Sequence, residues 1–349
     1  MADLYSRIFS IFTQFDKLTL IMMGDFFIDQ YLYLARRYSE TSLETGLEAY
    51  QVVDIRNSLG AAGTVANNLC AMGVNVRALT LRGHDANGYV MQELMIRQEI
   101  NIQGVVIDYS IQTPTYIKPM MVEEDGTIHE LNRMDIKNRH PIYPGIEVEL
   151  TKRLAALVSG TNAILVTDQV QEEDCGVVTS GMRNILSETA QSLLGLPIWV
   201  DSRERGHRFK DVSLKTNLAE AKKALGIRAD AELPAEGAAV QLFERNHKPV
   251  LITDGENGIA YCSEQESGLV PAIRLEPPLD IVGAGDSVLA AAGSAIAAGA
   301  SLREAALIGC LAASVTIKKV GTTGTASVKE MMANLRVFDQ QYPDFRLDG

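Results

Sequence analysis

Four short apolar runs, Leu18 to Met23, Ala163 to Thr167, Pro197 to Val200 and Val250 to Thr253, constrain this chain more than any other feature. Each is too short for a buried helix, and each runs directly into glycine or aspartate: Gly24-Asp25, Asp168, Asp201 and Asp254-Gly255. A short run without polar alternation is a strand buried on both faces, which requires helices crossing over between parallel strands. A helical pattern from about Val177 to Leu194 separates the second and third runs. Repeated βα units of this length imply a doubly wound α/β sheet. Ligands of such sheets bind beyond the carboxyl ends of the strands, where these glycines and aspartates stand. Ahead of the first run, Leu4, Ile8, Ile11, Phe12 and Phe15 recur at helical spacing and predict a packing helix.

Two stretches do not fit this scheme. Residues 41–59 and 113–135 are β-like, the second broken by the turn Glu123-Glu124-Asp125-Gly126. Two ribbons inserted in an α/β chain lie outside the parallel sheet, and pairing would make them a small β lid on a single domain spanning 1–349. Between them, Gly60-Ala61-Ala62-Gly63-Thr64 opens a helix ending near Gly73, and Gly83, Asp85 and Gly88 read as turn and cap of the next one. Ala229 to Ala239 reads as a surface insertion.

The chemistry concentrates at Asp280-Ile-Val-Gly-Ala-Gly-Asp286, between a strand-like approach at Leu269 to Ile273 and an apolar helix at Val288 to Ala298. A glycine turn opening a helix presents free amides and the positive end of the helix dipole, an anion site. Asp286 is a costly neighbour for an anion unless it removes a proton from an attacking alcohol. The same four residues also read as ordinary helix capping.

Composition excludes several classes. A net charge of −12 and a pI near 5.0 argue against nucleic acid and against an anionic membrane surface. Cys70, Cys175, Cys262 and Cys310 form no C-x-x-C pair and read as free thiols in a reducing compartment. The five histidines lack metal-ligand spacing, and no signal-like or membrane-spanning run is found, so a cytoplasmic protein is expected.

Gly283-Ala284-Gly285-Asp286 resembles the signature of the ribokinase-like (PfkB) carbohydrate kinases, and the other motifs of that family follow in order. The resemblance implies a three-layer αβα doubly wound fold with a β lid, and a kinase taking ATP and Mg²⁺ to a sugar or sugar phosphate. It makes Asp286 the base, with the amides of Gly283, Ala284 and Gly285 stabilising the transferring phosphoryl group. Gly24 to Asp29 is similar to the first substrate loop, Asp29 accepting sugar hydroxyls. Gly60 and Ala61 match the Gly-Gly substrate motif, with alanine for its second glycine, and Thr64 stands where asparagine is usual. Lys118 and Arg133 match substrate-facing positions. Asn217-x-x-Glu220 resembles the N-x-x-E motif, whose glutamate organises Mg²⁺ through water. Thr253, Gly255, Gly258, the Ala-rich helix 301–320 and the Gly321 to Gly324 loop fall at the nucleotide, and Val282 replaces a frequent threonine.

From the residues alone, Asp29 reads as a solvated acid and Lys118 and Arg133 as edge charges, and Asn217 with Glu220 reads also as a capping box. Within the family, the Gly-Asp-x-x-x-Asp opening, the Gly-Ala-Ala loop and the run Gly299 to Ala305 look most similar to the heptose 7-phosphate kinase domain of bacterial ADP-heptose synthesis, with no room expected for the nucleotidyltransferase domain often fused to it. A homodimer is expected, because ribbon edges need cover. The competing expectation is a catalytically silent relative that binds a sugar or nucleotide as a sensor or subunit.

Overall fold

All four apolar runs are strands of one nine-stranded sheet. The computed structural model describes residues 2–321 and 323–347, so Thr322 of the predicted nucleotide loop lies outside the described residues. The sheet runs in the order Ser267–Val270, Ile259–Cys262, Val250–Thr253, Ser213–Asn217, Ile198–Ser202, Ala163–Asp168, Thr19–Gly24, Asn75–Gly83, Asn101–Asp108. Pairing is parallel from Val250–Thr253 to Asn101–Asp108, and the two strands at the other edge are antiparallel.

Alternation along the first strand sorts side chains into two cores. Leu20 and Met22 pack with the N-terminal helix Ala2–Phe12 and the helices Ala62–Ala71, Ala284–Ala297 and Leu302–Thr316. Ile21 and Met23 pack with Pro144–Leu157 and Ser180–Ser192 on the opposite face. Helices on both faces explain why these strands carry no polar alternation. The result is the expected three-layer α/β architecture.

A second, five-stranded sheet stands apart, with the path Met134–Ile136, Thr115–Val122, Phe26–Ala35, Val52–Ala61, and Ile128–Glu130 paired on Thr115–Val122. The two predicted ribbons therefore share a sheet, but they do not pair with each other. The strand between them is Phe26–Ala35, antiparallel to Val52–Ala61 and parallel to Thr115–Val122. The expected substrate loop at residues 24–29 is mostly strand, because the β-rich run Phe-Phe-Ile-Asp-Gln-Tyr-Leu-Tyr-Leu finds partners on both sides. Of residues 41–59, only the part from Val52 joins this sheet; Glu40–Thr41 and Glu48–Ala49 form a separate hairpin.

The expected surface insertion at Ala229 to Ala239 is half helix. Ala235–Asn246 is helical, and Ala235, Ala238 and Ala239 are buried against Val250, Ile252 and Ala260. Small residues there permit close helix-to-sheet approach, a packing signal that reads like a loop in one dimension.

Candidate active site

The glycine turn arrives at the carboxyl side of the main sheet and starts the helix Ala284–Ala297 with Gly283 as its N-cap at φ 81°. That left-handed conformation suits glycine and turns the chain so that the first amides face outward. The amide of Ala284 donates back to the Ile281 carbonyl at 3.2 Å. Among the described residues, Gly283, Gly285 and Asp286 are the members of the turn whose amides find no acceptor. Of the expected Gly283, Ala284 and Gly285, the first and last therefore keep free amides, and Asp286 adds a third.

Asp286 sits partly buried in the first turn of this helix. Burial, reinforced by the nearby Asp201 carboxylate, pushes it up to about 7 against the opposing charges of Lys215 and Arg203. Lys215 is buried and donates to Asp201 Oδ2 at 2.6 Å. A Cβ added at Gly285 would stand 2.9 Å from its Nζ, so this ion pair lies directly against the anion turn. Asn217 and Glu220 form a reciprocal capping box on the helix Leu218–Leu225. Glu220 is raised by burial and by Asp201, and its Oε2 also accepts from Thr216 Oγ1 at 3.2 Å.

Two cavities flank this centre. One, of about 500 Å³, brings Thr253, Gly255 and Gly258 together with Ala284, Gly285 and the Cys310–Ser314 face of the Ala-rich helix. Gly321 acts on the turn itself, its amide donating to Asp280 Oδ2 at 3.1 Å while Asp280 Oδ1 accepts from Val282. The other, of about 310 Å³, lies between the main and small sheets, lined by Asp25, Phe27, Tyr116, Arg133, Lys137 and Arg203. Both volumes suit small-molecule sites.

The predicted acceptor residues converge only in part. Asp29 pairs in register with Tyr116 and Ser58, and a Cβ at Gly60 would lie 2.4 Å from Asp29 Oδ2, so glycine there makes room for the carboxylate. Lys118 neutralises Asp29 at 2.8 Å and also donates to Tyr31 at 3.2 Å. Arg133 is held by Asp135 at 2.7 Å and stacks on Tyr116 at 4.4 Å from the ring centroid. Thr64 is buried at the start of Ala62–Ala71, its methyl 3.4 Å from where a Gly283 Cβ would stand, so this helix abuts the anion turn. Ala61, the departure from glycine, has φ 52° and ψ −118°, a conformation costly for any residue with a Cβ.

Sequence reasoning missed three residues. Asp25 reads as a turn residue, yet it is buried at the smaller cavity, accepts from the Val177 amide at 2.9 Å, and is pushed by burial up to about 7. Lys215 carried a legible signal, a lysine inside an otherwise buried strand two residues before Asn217. Arg203 carried none, since its position depends on how the loop after Ile198–Ser202 lies across the sheet end.

The family model for pfkB carbohydrate kinases matches residues 28–329. This chain belongs to that family. The chain is 30% identical over 321 residues to the bifunctional protein HldE of a Nitratiruptor species, covering 90% of this chain and 64% of the relative. The HldE of Trichlorobacter lovleyi is 27% identical over 328 residues, covering 93% and 64%. The chain therefore spans about 64% of the length of these curated relatives. Among solved structures, phosphofructokinase-2 from Escherichia coli in complex with potassium matches with a TM-score of 0.69 at 16% identity, covering 93% of this chain and 98% of that one. Arabidopsis thaliana ribokinase complexed with ribose and ATP matches at 0.65 and 16% identity, covering 94% and 99%. At those identities the likeness establishes the ribokinase-like fold. No helix among the described residues is long and apolar enough to cross a membrane.

Proposed function

We propose that this kinase transfers the γ-phosphoryl group of ATP to a hydroxyl of a sugar or sugar phosphate, with Asp286 as the general base. The observation that carries this reading is a carboxyl raised to about 7, in the first turn of a helix whose Gly285 and Asp286 amides find no acceptor among the described residues, next to a cavity lined by Ala284 and Gly285. A base titrating near neutral pH accepts a hydroxyl proton readily while a substantial fraction of it stays ionised under working conditions. The amides of Gly283, Gly285 and Asp286 supply fixed donors where negative charge accumulates.

ATP fits the larger cavity, whose apolar wall from Ile281 to Ile317 suits a base and whose Gly285 end meets the anion turn. Among the described residues there is no cluster of three or more His, Cys, Asp or Glu that would cage a metal. Mg²⁺ keeps its waters and is held by phosphates and one or two carboxylates. Glu220 would hold it through water, and when bound it neutralises phosphate charge. The acceptor enters the smaller cavity, with Tyr116 and Phe27 as its aromatic wall and Asp29 behind them, the small sheet serving as a lid that excludes water. Lys137 in the lining of that cavity admits an acceptor that already carries phosphate. The exposed apolar side chains Leu43, Leu47, Val53, Ile55 and Ile128 support a second copy of the chain docked on the small sheet and its hairpin.

The test is ADP release with Mg·ATP against free and phosphorylated sugars, heptose 7-phosphate included, for wild type beside Asp286→Asn. One acceptor turned over by wild type and about 100- to 10,000-fold more slowly by the variant supports the reading. Absence of turnover with retained nucleotide and sugar binding overturns it in favour of a silent binding subunit.

A further inference from the structure

Most cations around the transfer centre are already committed. Lys215 is spent on Asp201 at 2.6 Å, Arg205 on Asp168 at 3.2 Å, Lys118 on Asp29 at 2.8 Å and Arg133 on Asp135 at 2.7 Å. The guanidinium of Arg203 is different: among the described residues it has neither a hydrogen-bonding nor an ionic partner. It lines the acceptor-side cavity and also the small pocket formed by Lys215, Thr216 and Glu220, so it spans the gap between them. Its charge is felt both by Asp286 and by Tyr116 across the acceptor cavity.

Its backbone, by contrast, is anchored. The Arg203 amide donates to the Asp168 carbonyl at 3.3 Å. On one side Ser202 Oγ donates to Asp168 Oδ2 at 2.7 Å; on the other, Arg205 is buried and reaches the carbonyls of Val170 and Gln171 at 2.8 and 2.5 Å. Exposed to solvent and without a partner among the described residues, this cation stands on a fixed tether amid Asp201, Glu220 and Asp286, open to an anion that enters the cavity. Arginine's planar fork suits phosphate oxygens.

We propose that Arg203 is a catalytic residue whose guanidinium binds the phosphoryl group as it passes from ATP to the acceptor. The inference rests on the kinase reading above. In the step, the acceptor oxygen forms a bond to the γ-phosphorus while the bond from that phosphorus to the β,γ-bridging oxygen breaks. The hydroxyl proton goes to Asp286 and ADP leaves with the electron pair. Arg203 pairs with the equatorial oxygens.

The test compares wild type, Arg203→Met and Arg203→Lys as full chains. With the acceptor found by ADP release, the methionine variant loses about 100- to 1,000-fold in kcat, with both KM values within about threefold, and lysine recovers part of the loss. The acid limb of its kcat/KM profile also moves to higher pH, because a cation that lowers Asp286 is gone. An unchanged kcat with acceptor KM raised tenfold or more overturns the proposal and assigns Arg203 to a phosphate already on the acceptor. A second measurement needs no acceptor: the melting temperature with Mg·ADP alone and with Mg·ADP plus aluminium fluoride. Arg203→Met keeps the Mg·ADP shift and loses the fluoride increment; an increment absent in wild type or undiminished in the variant refutes the proposal. The kinase reading fails separately, by a wild type that neither releases ADP nor is shifted by Mg·ADP.

Discussion

The position of the acid limb in the pH–rate profile is the most direct consequence of the geometry around Asp286. With its carboxyl at about 7, rather than near the usual 3.8, only about a tenth of the enzyme carries an ionised base at pH 6 and about a hundredth at pH 5. The kcat/KM for the acceptor, measured at saturating Mg·ATP, therefore rises close to tenfold per pH unit from 5 to 6.5 and levels off above about 7.5. Burial sets most of that shift, Asp201 adds to it, and Glu220 contributes a smaller like-charge push. Glu220→Gln removes this push while keeping a side chain that serves a capping box. The limb then moves down by under about 1 pH unit, whatever the variant does to the absolute rate. Because the ionisation of ATP is the same in both enzymes, the difference between the two limbs belongs to the protein. A wild-type profile flat between pH 5.5 and 8, or a limb unmoved in Glu220→Gln, refutes the assignment of Asp286 as the titrating base.

Other expectations follow from strain, burial and exposure. Ala61→Gly relieves about 1–3 kcal/mol of backbone strain and adds back about 0.5–1 kcal/mol of chain entropy, for a net gain near 1 kcal/mol in urea unfolding. Asp25 binds its proton more tightly folded than unfolded, so its ionisation opposes folding. Wild-type stability falls as pH rises from about 4 to about 7 and is flat above, and Asp25→Asn flattens part of that slope in a melting series across pH. Ile55→Asp on the exposed edge strand converts the proposed dimer to monomer at micromolar concentration, read by light scattering after gel filtration, with the melting curve of the monomer establishing that it is folded.

Local signals carried the α/β reading a long way. The strands Thr19–Gly24, Ala163–Asp168, Ile198–Ser202 and Val250–Thr253 stand where the apolar runs predict them. So do the Asp85 cap and the Asn217–Glu220 box, since strand periodicity and capping depend on residues within one turn or one strand. Phe26–Ala35 is a strand where the sequence predicts a loop, because a strand of a second sheet is recognisable only with its two neighbours present, from residues 52–61 and 115–122. Asp29 and Lys118 were named as separate substrate contacts, and only pairing in that sheet joins them into an internal ion pair.

The sequence by itself determined the layered α/β class, the glycine turn opening a helix, and Asp286 in its first turn, because each follows from side-chain periodicity or from backbone conformation over a few residues. Tertiary structure alone decided the electrostatics of the site. The rise of Asp286 to about 7, the cancellation of Lys215 by Asp201 and the freedom of Arg203 depend on burial and on charges contributed by strands and loops far apart in the chain. Desolvation and Coulomb energies are set by distance in space, and no spacing along a sequence encodes them.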